Sequence, residues 1–222
     1  MGRDVSGLRF DGRVAVVTGA GRGIGRAYAL LLAERGAAVV VNDLGASIEG
    51  AGADEGPAAE VVATITAAGG SAIADGHDVS DAAGAQALVD AATDIYGRLD
   101  VLINNAGVIR WAGFPEADAE NLAAHLDVHL WGSFHTTRAA WPTMVEQGFG
   151  RVVMTTSSGV FGLPQNLGYA AAKGGVIGLA RSLATAGAKR GIKVNCIAQA
   201  ASTRMAGGGG GPDPALMDPA LV

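Results

Sequence analysis

The chain has 222 residues, of which 49% are hydrophobic and 17% charged, and its net charge is -5 with a pI near 5.3. This is the composition of a globular protein with one full core, and the acidic balance excludes the basic surface that binds nucleic acid. The single cysteine, Cys196, excludes an internal disulfide and is expected to pack as a small hydrophobe in a strand. No Cys/His cluster has metal-ligand spacing, so we expect no metal. Without a long apolar run or a secretory signal, we expect a cytosolic protein and no membrane partner.

The first predicted element is a buried strand at 13–18, followed by a glycine-rich turn and a helix over 26–35. Such a turn directs unpaired backbone N–H groups and the positive end of the helix dipole at one point, which favours a diphosphate. Glycine is needed because side chains would block the turn or the approach of the phosphates. A glycine cluster by itself also fits a plain loop. The predicted cofactor-binding residues here are Gly19, Arg22, Gly23, Ile24 and Gly25.

The second predicted strand, at 37–42, ends beside Asp43, about twenty residues past the glycines. An acid at this position accepts hydrogen bonds from the adenosine ribose and repels a 2′-phosphate, which favours NAD over NADP. Arg22 in the turn argues for NADP, because it can pair with that phosphate. A solvated Asp43 at a strand end remains the alternative without function.

Further strands are predicted at 71–77, 99–105, 151–156 and 193–198, with helical stretches between them. The alternation predicts an α/β fold, a doubly wound parallel sheet with helices on both faces, in one domain over 1–222. The loop at 47–57 is rich in glycine and is expected near the adenosine end of the site.

Tyr169 and Lys173 are four residues apart in an alanine-rich stretch, so a helix places both side chains on one face. A lysine ammonium beside a phenol stabilises the phenolate and lowers its pKa. The tyrosine can then exchange a proton with an alcohol or ketone while hydride moves to or from a nicotinamide. An amphipathic surface pair is the alternative interpretation of this spacing alone.

These features occur together with Asp78-Val79, with the run 104–107 and with serines after the fifth strand. In this combination the chain resembles the short-chain dehydrogenase/reductase family from about residue 8 to its end, which implies a Rossmann-type sheet. The segments 40–45, 128–130, 136–141 and 202–205 look most like the (3R)-hydroxyacyl-CoA dehydrogenase module of peroxisomal multifunctional enzymes and its bacterial relatives.

The resemblance implies roles for matching positions. Asp78 meets the adenine with Val79 beside it, Lys173 also binds the nicotinamide ribose, and Thr203 binds the carboxamide. The cofactor is further lined by Asn105, Ala106 and Gly107. Asn104 is expected to hold neighbouring strands together.

Three positions depart from the family pattern. Thr156 stands thirteen residues before Tyr169, where the family has its catalytic serine; counting from the strand instead assigns that role to Ser157, with Ser158 as the second choice. His129 replaces the family's catalytic asparagine, and either orders a water chain to Lys173 or is a structural residue. Gln199-Ala200 replaces a Pro-Gly turn near the nicotinamide.

The sequence therefore predicts an NAD-dependent enzyme of secondary alcohols or ketones, with Tyr169 as acid/base, Lys173 as its modifier and Ser157 as substrate polariser. The alternatives are an NADP-linked reductase and a dinucleotide-binding scaffold without chemistry. The resemblance implies a homodimer or homotetramer through helices at about 117–147 and 169–190.

The family has a seventh strand that this chain is expected to lack. The edge of the sixth strand would then be open. We therefore expect either that the 222 residues are a shortened version of a longer protein, or that this edge is covered by a partner subunit or by residues 215–222.

Overall fold

The computed structural model describes residues 7–199, 201 and 218–222. Six strands form one parallel sheet in the order β3-β2-β1-β4-β5-β6. Their bounds are β1 Val14–Thr18, β2 Ala38–Asn42, β3 Ser71–Asp75, β4 Val101–Asn104, β5 Gly150–Thr155 and β6 Ile192–Ile197. The predicted strands and the doubly wound fold are confirmed, with boundaries displaced by at most two residues.

In the described part of the chain, six α-helices lie in the connections between strands, two of them between β4 and β5. Their bounds are α1 Gly23–Glu34, α2 Gly56–Ala67, α3 Ala82–Tyr96, α4 Ala119–His125, α5 Gly132–Glu146 and α6 Leu167–Gly187. A π-helical turn, Leu126–Trp131, joins α4 to α5 without a break. Among the described residues, no helix combines the length and hydropathy needed to cross a bilayer.

The hydrophobic core lies on both faces of the sheet because alternate residues of each strand point in opposite directions. Val16 and Val40 pack on the side of α3, α5 and α6, whereas Val17 and Val41 pack on the side of α1 and α2. Strands buried on both faces read as continuous apolar runs, as 14–17 does. Successive strands are added to one side of β1 up to β3 and to its other side from β4 onward, and this change of order opens a crevice at the carboxyl ends of β1 and β4.

At the β6 edge of the sheet, the exposure of Cys196 differs from the expectation that this residue is packed. This residue lies in β6 as predicted, but its side chain is exposed rather than packed. It shares a face with the buried Ile192 and Val194, yet it lies near the carboxyl end of the edge strand of the described sheet, where that face is open. In the segment expected to cover that edge, the described part, 218–222, instead lies with its short 3-10 helix Pro219–Leu221 against α1.

Candidate active site

One cavity of about 920 Å³ occupies the crevice at the carboxyl ends of the strands. Every predicted site residue within the described part of the chain lines it: Gly19, Arg22, Gly23, Ile24, Gly25, Asp43, Asp78, Val79, Asn105, Ala106, Gly107, His129, Ser157, Tyr169 and Lys173. Thr203 and Ala200 lie outside the described residues. Residues separated by up to 154 positions along the chain are thus brought together by the parallel strands.

The glycine turn between β1 and α1 is packed against backbone on several sides. A Cβ on Gly19 would lie 2.8 Å from Cα of Ala106, and one on Gly21 would lie 2.6 Å from Cβ of Pro57. A Cβ on Gly25 would collide with the carbonyl oxygen of Gly19. The glycines at 19, 21 and 25 are therefore required by close contacts in the folded chain.

The first turn of α1 is left free for a ligand. Its N-cap residue, Arg22, makes no side-chain hydrogen bond to it, and no acidic residue lies in the turn. By contrast, Asp81 caps α3 and Asp118 caps α4 by accepting from first-turn N–H groups. An uncapped helix N-terminus at the end of a glycine turn is suited to a diphosphate.

Asp43 is held against this turn. Its two carboxylate oxygens accept hydrogen bonds from the N–H groups of Gly21 and Gly45, each at 2.7 Å. The guanidinium of Arg22 lies 3.9 Å from a carboxylate oxygen of Asp54. Arg22 therefore has a carboxylate neighbour, and Asp43 adds a second carboxylate at this end of the cavity.

Asn105 and Asn104 hold β4 in different ways. The amide of Asn105 donates to the carbonyl oxygens of Thr18 and Gly19 at 3.0 and 3.1 Å, tying the end of β4 to the glycine turn after β1. Asn104 instead bonds Thr136 and Thr137 on α5. The expectation that Asn104 joins neighbouring strands is wrong, because its side chain points to the helix layer and Asn105 makes the link between strands.

The glycine-rich loop after β2 reaches farther than the sequence indicated. The N–H of Ile109 donates to the carbonyl oxygen of Ile48 at 2.8 Å, and Nε of Arg110 donates to that of Glu49 at 2.7 Å. The loop therefore crosses from the Asp43 end to the segment after β4. The sequence contained no signal for this contact or for Arg110.

At the other end of the cavity, Tyr169 and Lys173 lie one turn apart on α6, as predicted. Nζ of Lys173 lies 5.5 Å from the centre of the Tyr169 ring and donates to the carbonyl oxygen of Thr155 at 2.7 Å. Burial lowers the pKa of Lys173 to about 7. At neutral pH the side-chain amine of Lys173 is therefore only partly protonated.

The expected lowering of the Tyr169 pKa is wrong for this structure. Burial raises the pKa of the phenol, and a hydrogen bond with Ser157 partly opposes the rise. Two facts account for the difference: Lys173 directs its amine at Thr155, and its own pKa is lowered by burial. The phenol is therefore protonated at neutral pH.

Ser157, rather than Ser158 or Thr156, meets Tyr169. Its hydroxyl oxygen also accepts from the N–H of Gly159 at 3.1 Å, so it begins the 3-10 helix Ser158–Phe161. Ser158 is exposed, and the hydroxyl of Thr156 donates to the carbonyl oxygen of Lys173. The count from the strand and the contact with Tyr169 thus select the same serine, because β5 fixes where the turn begins.

Two stacked histidines lie behind Tyr169. The rings of His125 and His129 are 6.2 Å apart, and each meets the tyrosine ring edge-on. Nδ1 of His125 pairs with the carbonyl oxygen of Asn121, and its Nε2 accepts from the N–H of Arg110, which fits one neutral tautomer. Burial lowers the pKa of His125 and lowers that of His129 much further. In the sequence, the proximity of these two histidines is indicated by their spacing of four residues within a helical stretch.

Several buried polar atoms at this end have no hydrogen-bond partner among the described residues. They are Nδ1 of His129, Oγ1 of Thr155, Oδ1 of Asn166 and Oε1 of Gln199, and all four residues line the cavity. Buried polar atoms are normally paired, so a set of unpaired ones around one cavity indicates a ligand site. Together with the glycine turn, this wall fits a dinucleotide and a small substrate.

Comparison with known proteins agrees with this geometry. The family model described as short chain dehydrogenase matches residues 13–207. The chain is 48% identical over 202 residues to peroxisomal multifunctional enzyme type 2 of Drosophila melanogaster, covering 90% of this chain and 33% of that enzyme. This chain thus spans about a third of that relative's length.

Two solved structures have the same fold. A short chain dehydrogenase from Mycobacterium avium superposes with a TM-score of 0.80 and 44% identity, covering 88% of this chain and 70% of that one. A xylitol dehydrogenase with bound NAD+ superposes with a TM-score of 0.79 and 32% identity, covering 86% and 71%. In both, the similarity extends over most of each chain.

Proposed function

The chain belongs to the short-chain dehydrogenase family, and on that premise we propose that it is an oxidoreductase that transfers a hydride between NAD and a secondary alcohol or ketone. The observation that carries the proposal is the pairing of Ser157 with Tyr169 above Lys173, in the same cavity as an uncapped glycine turn. The 48% identity to the fly multifunctional enzyme supports 3-hydroxyacyl-CoA as one candidate substrate.

The residues of the cavity divide between cofactor and substrate. The glycine turn and the first turn of α1 would hold the diphosphate, Asp43 the adenosine ribose, and Lys173 the nicotinamide ribose. Asp78 and Val79 would lie at the adenine, with Thr203 at the carboxamide. The bound nicotinamide supplies or accepts the hydride.

Tyr169 performs the proton transfer. Its raised pKa keeps the phenol protonated at neutral pH, so it can donate to the oxygen of a ketone as that oxygen gains charge. The Ser157 hydroxyl donates a second hydrogen bond to the same oxygen. In the reverse direction the phenolate form takes the proton from the alcohol. His129 is a positioning residue whose ring packs against Tyr169 at 5.1 Å.

NAD is proposed over NADP because Asp43 lies against the glycine turn, where it would meet the adenosine ribose, and because Asp54 accompanies Arg22. A higher kcat/KM with NAD than with NADP is expected, and the opposite order would favour an NADP-linked reductase.

The decisive experiment is the substitution Tyr169→Phe. Loss of the proton donor is expected to lower kcat by about 10²- to 10⁴-fold, while NADH binding, measured by fluorescence titration, stays within about two-fold because the hydroxyl does not hold the diphosphate. Undiminished turnover would contradict the proposal. Binding of NADH by the unmodified protein without turnover of any alcohol or ketone would favour the scaffold alternative.

The proposal includes a homodimer or homotetramer in the cytosol. Trp131 and Phe134 on the turn into α5 are 49% and 38% exposed and contact each other, which suits a subunit interface. Light scattering measures the state directly, and a monomer at micromolar concentration would contradict it.

A further inference from the structure

We infer that residues 45–53 form a strap over the adenosine half of the cofactor, and that Arg110 is the positioning residue that holds this strap closed. NAD and NADH then enter and leave the cavity only when the strap opens. The inference rests on the proposed function, because it takes the adenosine ribose to lie at Asp43.

The strap is a loop whose two ends meet. The N–H of Asp54 donates to the carbonyl oxygen of Leu44 at 2.9 Å, and a Cβ on Gly45 would collide with the carbonyl oxygen of Asp54. The N–H of Gly45 donates to the Asp43 carboxylate at 2.7 Å. The base of the strap is thus fixed beside the residue that would bind the ribose.

Within the strap, the chain bonds to itself. The N–H of Ser47 donates to the carbonyl oxygen of Ala51 at 2.8 Å, and the Ser47 hydroxyl oxygen accepts from the N–H groups of Glu49 and Ala51 at 3.3 and 3.2 Å. Ile48 is the one large apolar residue of the strap, and it is half-buried. A compact loop that buries little apolar surface can open as a unit at small cost.

Two hydrogen bonds join the tip of the strap to the segment after β4. The N–H of Ile109 donates to the carbonyl oxygen of Ile48 at 2.8 Å. Nε of Arg110 donates to the carbonyl oxygen of Glu49 at 2.7 Å. The backbone of Arg110 is itself bound to α4, because its N–H donates to Nε2 of His125 at 3.1 Å. The segment after β4 is therefore the fixed side of this contact, and the strap is the side that can move.

The cavity extends along the inner side of the strap. Residues 46–50 line it, as do Asp43 at the base of the strap and Val108 near its tip. Asp78 and Val79, the proposed adenine contacts, line the same cavity. An adenosine bound there would be covered by the strap, so its exchange with solvent would require the strap to open.

The two bonds at the tip join atoms of the chain itself, so they hold the strap closed with or without cofactor. Weakening them raises the fraction of open strap in both states, and association and dissociation of the cofactor accelerate by the same factor. The Kd is the ratio of the two rate constants and therefore stays constant. Loss of a direct contact with the cofactor would accelerate dissociation alone.

The experiment measures NADH binding and release by stopped-flow fluorescence in Arg110→Ala. Both rate constants are expected to rise about five-fold, the effect of one hydrogen bond, while the Kd stays within about two-fold. The control is Glu120→Gln, since Glu120 lies 3.5 Å from the Arg110 guanidinium but is 86% exposed, and such pairs contribute little. Unchanged rates in Arg110→Ala, or faster dissociation alone, would overturn the inference.

A disulfide tests the same movement directly. A Cβ on Gly50 would lie 3.9 Å from Cβ of Val108, a distance that a disulfide spans, so Gly50→Cys with Val108→Cys locks the strap when oxidised. Cys196→Ser is included to remove the chain's own thiol. The oxidised and reduced forms of this one protein are compared, which cancels the effect of the substitutions themselves.

Oxidation is expected to slow both NADH rate constants by about ten-fold or more, because the fraction of open strap falls, and reduction is expected to restore them. Equal rates in the two forms would contradict the strap.

Failure of the proposed function gives a different result. These rates require only that NADH binds, so a protein that oxidises no alcohol still tests the strap. NADH that binds and exchanges equally fast in all variants refutes the strap alone, whereas a protein that does not bind NADH refutes both.

Discussion

The two ends of the cavity satisfy their polar groups in different ways. At the glycine-turn end, Asp43 and Asn105 pair with the backbone of the turn, and the shape is complete in the protein alone. At the Tyr169 end, four cavity-lining side chains have buried atoms without a partner among the described residues, and burial lowers the pKa of Lys173 to about 7. The first end is preorganised by these bonds, whereas the second presents buried polar groups to the cavity, which suits a polar ligand.

Among the substitutions that test this difference between the two ends of the cavity, the one at Ser157 is expected to have the largest effect on activity. Ser157→Ala is expected to lower kcat by about 10²- to 10³-fold, because it removes a donor to the oxygen that gains charge. Ser158→Ala is the matched control, since that side chain is exposed, and steady-state kinetics compares the two. A larger loss from Ser158→Ala would reverse the assignment.

A substitution at the preorganised end is expected to change the shape of the glycine turn. A methyl group at Gly25 would collide with the carbonyl of Gly19 and lie 2.6 Å from Nδ2 of Asn105, so Gly25→Ala is expected to lower the free energy of unfolding by about 1–3 kcal/mol. The Kd for NADH is expected to rise by about ten-fold or more, because the diphosphate site is displaced.

The control for that variant is Gly178→Ala in α6, where nothing lies within 4 Å of the new Cβ. It is expected to raise the free energy of unfolding by about 0.5–1 kcal/mol through helix propensity. Denaturant unfolding and NADH titration measure both variants. Unchanged NADH affinity in Gly25→Ala would show that the turn is less tightly packed than the contacts indicate.

The effect at the Tyr169 end is a gradual one, a dependence of stability on pH. The unfolded chain holds the Lys173 proton up to a pKa near 10.5, whereas the folded protein releases it above about 7. The destabilisation by Lys173 is therefore complete below pH 7 and is relieved as the pH rises toward 10.5.

Relative to Lys173→Met, the unmodified protein is expected to gain up to about 1.4 kcal/mol of unfolding free energy per pH unit in this range. Denaturant unfolding of both proteins between about pH 7.5 and 9.5 measures the gain. A difference that does not vary with pH would show that burial does not lower this pKa.

The sequence alone determined the strands, the glycine turn and the Tyr169/Lys173 pair, because these depend on local periodicity and on glycine at close contacts. Ser157 could also be selected by its distance from β5. The family's roles for Asp78 and Asn105 placed those residues at the cavity correctly.

Only the tertiary structure decided the contact of Arg110 with the loop after β2, the stacking of His125 on His129, and the buried Oδ1 of Asn166, which has no partner among the described residues. It also reversed the expected direction of the Tyr169 pKa. These features depend on burial and on atoms from segments far apart in the chain, and a linear pattern records neither. The order of residues thus specified which groups enter the cavity, and their packing specified which of them remain without partners.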